Sequence, residues 1–160
     1  MSPIVKAGVV LAVAVAVLMF VNGFAGLYRN PSTGWTFPVG ATLIEIGVLI
    51  WALRQTAREG RGYGGQVGAG LMIAAIGGAL MIPISLIWGA MFSDWAQVGE
   101  AAMADSLADR GMSEEQIAQY VQSTAFMRTG LFNAIFGFVA SVVTGLVASL
   151  IIAAFVRKKD

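Results

Sequence analysis

Long apolar runs alternate with short polar connections along this chain. Residues 7–28 carry no charge, residues 35–53 carry one, Glu45, and residues 66–92 and 129–156 carry none. A bilayer core about 30 Å thick is crossed by about 20 apolar helical residues, so each run is long enough to span it. The pattern predicts four membrane helices, over about 5–28, 36–53, 66–92 and 129–156. The first run, strongest at Val9–Phe20, exceeds the about 7–15 apolar residues of a secretory signal core. It is therefore expected to be a retained helix.

The connections differ in kind. Asn30-Pro31 followed by Ser32-Thr33-Gly34 is a turn signal. Residues 54–65 read RQTAREGRGYGG, and glycines 60, 62, 64 and 65 predict a flexible turn. The third connection, about 93–127, is too long for a structureless loop in a compact protein and reads as a helical hairpin. Ser93 or Asp94 is placed to cap its first helix, and Gly111 suits a left-handed C-terminal cap. Ser113 with Gln116 three residues on forms a capping box, and Glu114 and Glu115 sit in the first turn, where the helix dipole favours anions. Ile117, Tyr120, Val121 and Thr124 repeat at helical spacing towards Phe126 and Leu131. The second hairpin helix is thus expected to run on into the fourth crossing. The fold expected is an all-α integral membrane protein: a four-transmembrane-helix bundle in one domain, residues 1–160, with an extracytoplasmic amphipathic hairpin between the third and fourth helices.

Charge sets the orientation. One side of the predicted bundle holds Lys6, Arg54, Arg58, Arg61, Arg157, Lys158 and Lys159 against Glu59 and Asp160. The other holds Arg29, Arg110 and Arg128 against Asp94, Glu100, Asp105, Asp109, Glu114 and Glu115. Basic residues in short flanks mark the cytoplasmic side, so both termini are expected there, in a multi-pass protein of a cytoplasmic (inner) membrane. Those basic residues are topology determinants that can also attract anionic lipid headgroups. Trp35, Trp88 and Trp95 fall near one boundary and Trp51 near the other, where indole rings favour the interface.

Composition narrows the chemistry. Hydrophobic residues make up 58% of the chain and charged residues 12%, against about 25% charged in an average soluble domain. Cysteine and histidine are both absent, which excludes disulfides, Cys/His metal centres, a histidine base and a cysteine nucleophile. No cofactor or metal is expected. Gly60–Gly65 lacks the lysine and Ser/Thr of a phosphate-binding loop, and no basic patch interleaved with aromatics suggests nucleic acid.

Glu45 is the ionisable residue deep in a predicted crossing. It lies nine residues before Arg54, about 13 Å along a helix at 1.5 Å per residue, near the bilayer midplane. A charged carboxylate there costs about 2.5–3.5 kcal/mol on insertion scales. No basic residue lies within a crossing to pair with it, so the simplest expectation is a protonated Glu45 bonded to a hydroxyl or a free carbonyl. Thr144 lies at similar depth, and Ser141 and Ser149 are within reach of that level. Small residues recur every four positions: Gly137, Ser141, Gly145 and Ser149 in the fourth crossing, and Gly70, Ala74 and Gly78 in the third. Such ladders allow close helix packing, within one bundle or against another protein. Pro83 removes a helical hydrogen bond and predicts a kink. Asn22 and Asn133 are placed to bond across helices.

These features together resemble a known family. Glu45-Ile46-Gly47 in the second crossing is followed by Arg54 and Arg58, a glycine-rich turn and a third crossing with a tryptophan near its end. The acidic stretch GMSEEQIAQY and a fourth crossing ending Arg157-Lys158-Lys159 complete the pattern. Over nearly the whole chain it resembles the small bacterial four-helix membrane proteins known as domain of unknown function 4199. The resemblance implies a topology and a bacterial setting, and supplies no activity.

Two functional readings stand. The first is a non-enzymatic structural or accessory protein, a subunit of a larger membrane complex or a self-associating bundle whose partners are the bilayer and other membrane subunits or itself. The second is a small oligomeric proton- or cation-coupled transporter or channel using Glu45.

Overall fold

The computed structural model describes residues 1–156. Arg157, Lys158 and Lys159, expected at the end of the fourth crossing, lie outside the described residues. Six α-helices follow in chain order: α1 Pro3–Phe24, α2 Thr36–Arg58, α3 Tyr63–Met91, α4 Trp95–Asp109, α5 Glu114–Ser123 and α6 Gly130–Val156. Short 3-10 turns occupy Leu27–Arg29 and Ala125–Arg128. Helices α1, α2, α3 and α6 are long and apolar enough to cross a membrane, and there is no strand among the described residues.

Packing is organised around α3, which lies against α1 on one side and α6 on the other; α2 closes the bundle between α1 and α6. The buried positions of α3 explain its central place. Gln66, Ala69, Gly70, Ile73, Ala74, Gly77 and Gly78 repeat every three or four residues, the period of one helix face, and most of them are small. A neighbouring helix can approach such a face closely.

Three boundaries differ from the sequence-based expectation. Helix α2 continues to Arg58, which leaves a turn of only residues 59–62 with Gly60 at φ +81°. Arg54 and Arg58 are therefore helical, and Gly64 and Gly65 belong to α3. A charge ends an apolar run without ending a helix, since long basic side chains keep their heads in water while their stems stay along the apolar surface. Helix α1 stops at Phe24 because Gly26 takes a left-handed conformation, φ +68°, before the 3-10 turn. Helix α5 does not run on into α6. The hydroxyls of Ser123 and Thr124 both donate to the Tyr120 carbonyl, an alternative to continuing the helix. Thr129 is extended, and its hydroxyl accepts from Phe132 N–H to start α6.

Gly111, at φ +82°, reverses the chain after α4, and Ser113 and Gln116 exchange both capping-box hydrogen bonds. The first helix of the hairpin is capped differently from expectation. Asp94 makes no side-chain cap; its carboxylate accepts instead from Tyr28 Oη at 2.6 Å and Arg29 Nε at 2.8 Å. The ion pair from Arg128 to Glu100, at 3.5 Å, adds a second tie. Helix α4 thereby sits over the end of the bundle that carries the α1–α2 connection. We call this the hairpin end, and the opposite one, with Arg54, Arg58 and Arg61, the basic end.

Candidate functional site

The two ends of the bundle are packed differently. At the basic end, Ala7, Leu49, Leu53, Ile73, Ala69 and Ala153 are sealed from solvent. The small-residue ladders of α3 and α6 meet each other there. A Cβ on Gly70 would overlap Ser149 Oγ, and a Cβ on Gly145 would overlap that of Ala74. Within this seal Thr56 and Gln66, both fully buried, are bonded side chain to side chain at 2.6 Å. Thr56 Oγ1 also lies 3.2 Å from the Leu53 carbonyl. A hydroxyl has one proton, and the shorter contact takes it: Thr56 Oγ1 donates to Gln66 Oε1, the Leu53 carbonyl is the weaker second acceptor, and Gln66 Nε2 is left buried without a partner.

Towards the hairpin end the helices part around a cavity of about 590 Å³. Its floor is set by Leu11 of α1, Glu45 of α2, Gly77 of α3 and Thr144 of α6; Tyr28, Phe37, Trp88 and Trp95 line it nearer the hairpin. Thr42 and Pro38 on α2 and Gly137 and Ala140 on α6 line it and are also exposed. The cavity therefore reaches the outer surface between α2 and α6.

Glu45 is 6% exposed. Its Oε1 accepts from Ser141 Oγ at 3.0 Å, so α2 and α6 are joined across the floor. The carboxyl has room because Gly145 lies beside it: a Cβ there would stand 3.0 Å from Oε1. Among the described residues Glu45 has no charged partner and Oε2 has no hydrogen bond. Thr144, expected beside Glu45, lines the same floor, while the bond is supplied by Ser141.

The other residues singled out from sequence fall as follows. Ser141 and Gly137 border the cavity, and a Cβ on Gly137 would meet nothing within 4 Å, so Gly137 is not a close-packing position. Gly78 packs on Phe138, 3.0 Å from a Cβ to the ring. Helix α3 runs unbroken through Pro83, and Ser85 Oγ donates to the Met81 carbonyl at 2.8 Å. Asn22 bonds across helices, donating to Thr36 Oγ1 at 3.1 Å. Asn133 does not: its amide donates to Met127 and Thr129 carbonyls of its own segment. Being at the first turn of α6, it satisfies carbonyls of the preceding turn before it can reach a neighbour.

Outside the membrane helices, Asp94 is the most perturbed acid. The hydrogen bonds from Arg29 and then Tyr28 hold its carboxyl below the ordinary carboxylate value, because both favour the charged form. Desolvation and the Asp94 carboxylate push the Tyr28 phenol up.

Sequence reasoning missed the Thr56–Gln66 pair, the Tyr28–Arg29–Asp94 network and the cavity itself. A signal for the first was present, since Thr56 and Gln66 are uncharged polar residues that flank the turn within reach of each other.

Comparison with known proteins places the chain in one family and no further. The model of the family described as Protein of unknown function (DUF4199) matches residues 6–158, and the chain belongs to that family. No curated protein and no solved structure matches it.

Proposed function

Because a family of unknown function lends no activity, we propose from the geometry that this is a non-enzymatic integral membrane protein that receives a small ligand at Glu45. One observation carries the reading: a buried carboxyl with one oxygen unpartnered, at the floor of a cavity of about 590 Å³. Sites for small molecules are commonly apolar cavities of about 300–1,000 Å³ with few polar groups, and an acid inside a membrane bundle is a functional site by default. The non-enzymatic part rests on the absence of histidine and cysteine and on a cavity lined by a single carboxylate.

The orientation proposed puts the basic end in the cytoplasm of a bacterial inner membrane. Lys6, Arg54, Arg58 and Arg61 support it, against the acidic hairpin at the other end. The cavity would then be reached from the extracytoplasmic leaflet, with the Leu49–Leu53–Ile73 layer closing the path inward.

Labelling with dicyclohexylcarbodiimide tests the reading. This apolar reagent adds to protonated carboxyls that it can reach from lipid. Mass spectrometry of labelled membranes should place the adduct on Glu45, and Glu45→Gln should remove it. An unlabelled Glu45 in folded protein would sink the proposal.

An accessory role is the second reading, and it has an observation of its own. Helices α4 and α5 leave a groove lined by Ala101, Ala104, Ile117 and Val121, with Glu100 and Glu114 also bordering it. A partner subunit docked on the hairpin would fill it. Co-purification with stoichiometric partners in a gentle detergent would support that reading.

A further inference from the structure

The class of ligand can be taken from the same cavity, and this step rests on the reading of Glu45 as a binding site. We propose that the cavity binds a lipophilic organic monocation, admitted from the bilayer between α2 and α6, in exchange for the proton on Glu45.

Charge comes first. Among the described residues the cavity lining includes no Lys, Arg, Asp or second Glu. From α1 it receives Asn22, which is bonded to Thr36; from α3, Ser85, bonded to its own helix; from α6, Ser141, Thr144 and Asn133. Among the described residues the other titratable group lining it is Tyr28, whose hydroxyl donates to Asp94. The ionised form of Glu45 has one negative charge and no counter-ion, which matches one positive charge on the ligand.

The walls say what surrounds that charge. A bare metal ion is a poor match: Ca²⁺ takes 6–8 oxygen ligands, and the floor offers Glu45, Ser141 and Thr144 among apolar side chains. A cation whose charge is wrapped in hydrocarbon needs no such shell. Phe37, Trp88 and Trp95 present aromatic surface, while the Tyr28 ring already carries the Arg29 guanidinium, 5.2 Å from its centroid; aromatic faces attract organic cations, most strongly when desolvated. The exposed lining residues Thr42, Gly137 and Ala140 mark a side entrance between two lipid-facing helices, the route open to a solute that partitions into the bilayer.

Exchange balances. The O–H bond of the neutral acid breaks, the carboxylate keeps the electron pair, the proton leaves to water and the cation takes its place. One positive charge enters as one leaves. The occupied site holds an ion pair in place of a neutral acid, with no net charge added to the membrane interior.

The test is calorimetric titration of the full chain in lipid nanodiscs with tetraphenylphosphonium, in two buffers of different ionisation enthalpy. At a pH where Glu45 is protonated, one proton should be released per cation bound. Affinity should fall about tenfold per pH unit of further acidification, the slope of one linked proton. Glu45→Gln should abolish binding. Gly137→Leu keeps the acid and fills the entrance, so it should weaken binding at least tenfold while the protein elutes as folded. Neutral triphenylphosphine oxide should not compete. Cation binding unchanged in Glu45→Gln, binding without proton release, or equal competition by the neutral compound would each overturn the inference. If tetraphenylphosphonium fails to bind a protein whose Glu45 still takes the carbodiimide, the cation assignment is wrong and the binding-site reading survives. If Glu45 takes neither, both are wrong.

Discussion

In α6, Ser149 and Gly145 are packed hard against α3, whereas Ser141 and Gly137, the next two residues at the same spacing, border an open cavity. One ladder of small residues thus has two environments. The difference lies in what faces it. Opposite Ser149 and Gly145 stand Gly70 and Ala74, and two small surfaces let the helices close. Beyond Gly78 the α3 face turns large, with Met81 and Trp88, and α6 brings Phe136 and Phe138. Helices α3 and α6 still touch at Gly78, where a Cβ would stand 3.0 Å from the Phe138 ring; what faces Ser141 and Gly137 is α2, through Glu45 and the opening beside Thr42. Small residues therefore permit a close approach, and the partner face decides whether it occurs.

The widest separation between the two halves should come from one substitution made in each. Gly70→Leu would drive a side chain into Ser149 Oγ and Leu49. Overpacking of this kind costs about 1–3 kcal/mol and sometimes more, which should lower the thermal midpoint in detergent or abolish folded protein. Gly137→Leu enters empty space and also replaces a poor helix former, so its midpoint should be equal to or above that of the wild type. Equal losses at both sites would mean that the cavity closes in the membrane.

A smaller effect belongs to the polar pair at the basic end. Thr56→Val leaves the buried Gln66 amide without its partner, at a cost of about 1 kcal/mol. Thr56→Val combined with Gln66→Leu removes both polar groups at similar volume and should recover much of that loss. If the double variant is the weaker one, the pair contributes specificity to the α2–α3 turn that packing alone cannot supply.

These expectations also show where sequence reading stops. The four crossings were legible because length and hydropathy alone define them. Their ends were less so: Arg54 and Arg58 interrupt hydropathy while α2 continues, and Gly26 and Thr129 act through backbone conformation that hydropathy does not register. Glu45 stood out as an uncompensated acid, and depth narrowed its partner to Thr144, Ser141 or Ser149, because residue counts translate into height at a fixed rise per residue; which of the three faces it depends on how α6 is turned. The cavity could not be seen this way. It depends on how far apart two helix axes stand, which is set by side chains of different helices that no spacing rule brings together. The Arg29–Asp94 pair is likewise separated by 65 residues, and local capping rules assigned Asp94 to its own helix instead.

Ser141→Ala tests the floor between the halves. It removes the donor to Glu45 Oε1; such bonds in membrane proteins average about 0.6 kcal/mol, so the thermal midpoint should fall slightly. Carbodiimide labelling of Glu45 should persist, since the acid keeps its cavity. A large loss of stability would instead make the Glu45–Ser141 bond the joint that holds α2 to α6.

The least effect on the bundle should come from the hairpin's own anchor. The folded-state value of Asp94 is depressed by Arg29 and then Tyr28, so the docking of α4 gains from this group at pH above its ordinary value of 3.8. That gain is lost as the pH falls through the lower folded value, when the carboxyl takes up its proton. The residues are exposed and the pair is screened by salt, so α4 should loosen locally while α1, α2, α3 and α6 keep their protection. Amide exchange followed from pH 5 downwards should show faster exchange in α4 alone, and Asp94→Asn should show the same loosening at pH 7 with no further pH response. Exchange that rises together in α4 and in the sealed Leu49–Ile73 layer would mean that the hairpin and the packed half unfold as one unit, and the contrast between the two ends would then be one of packing without independence.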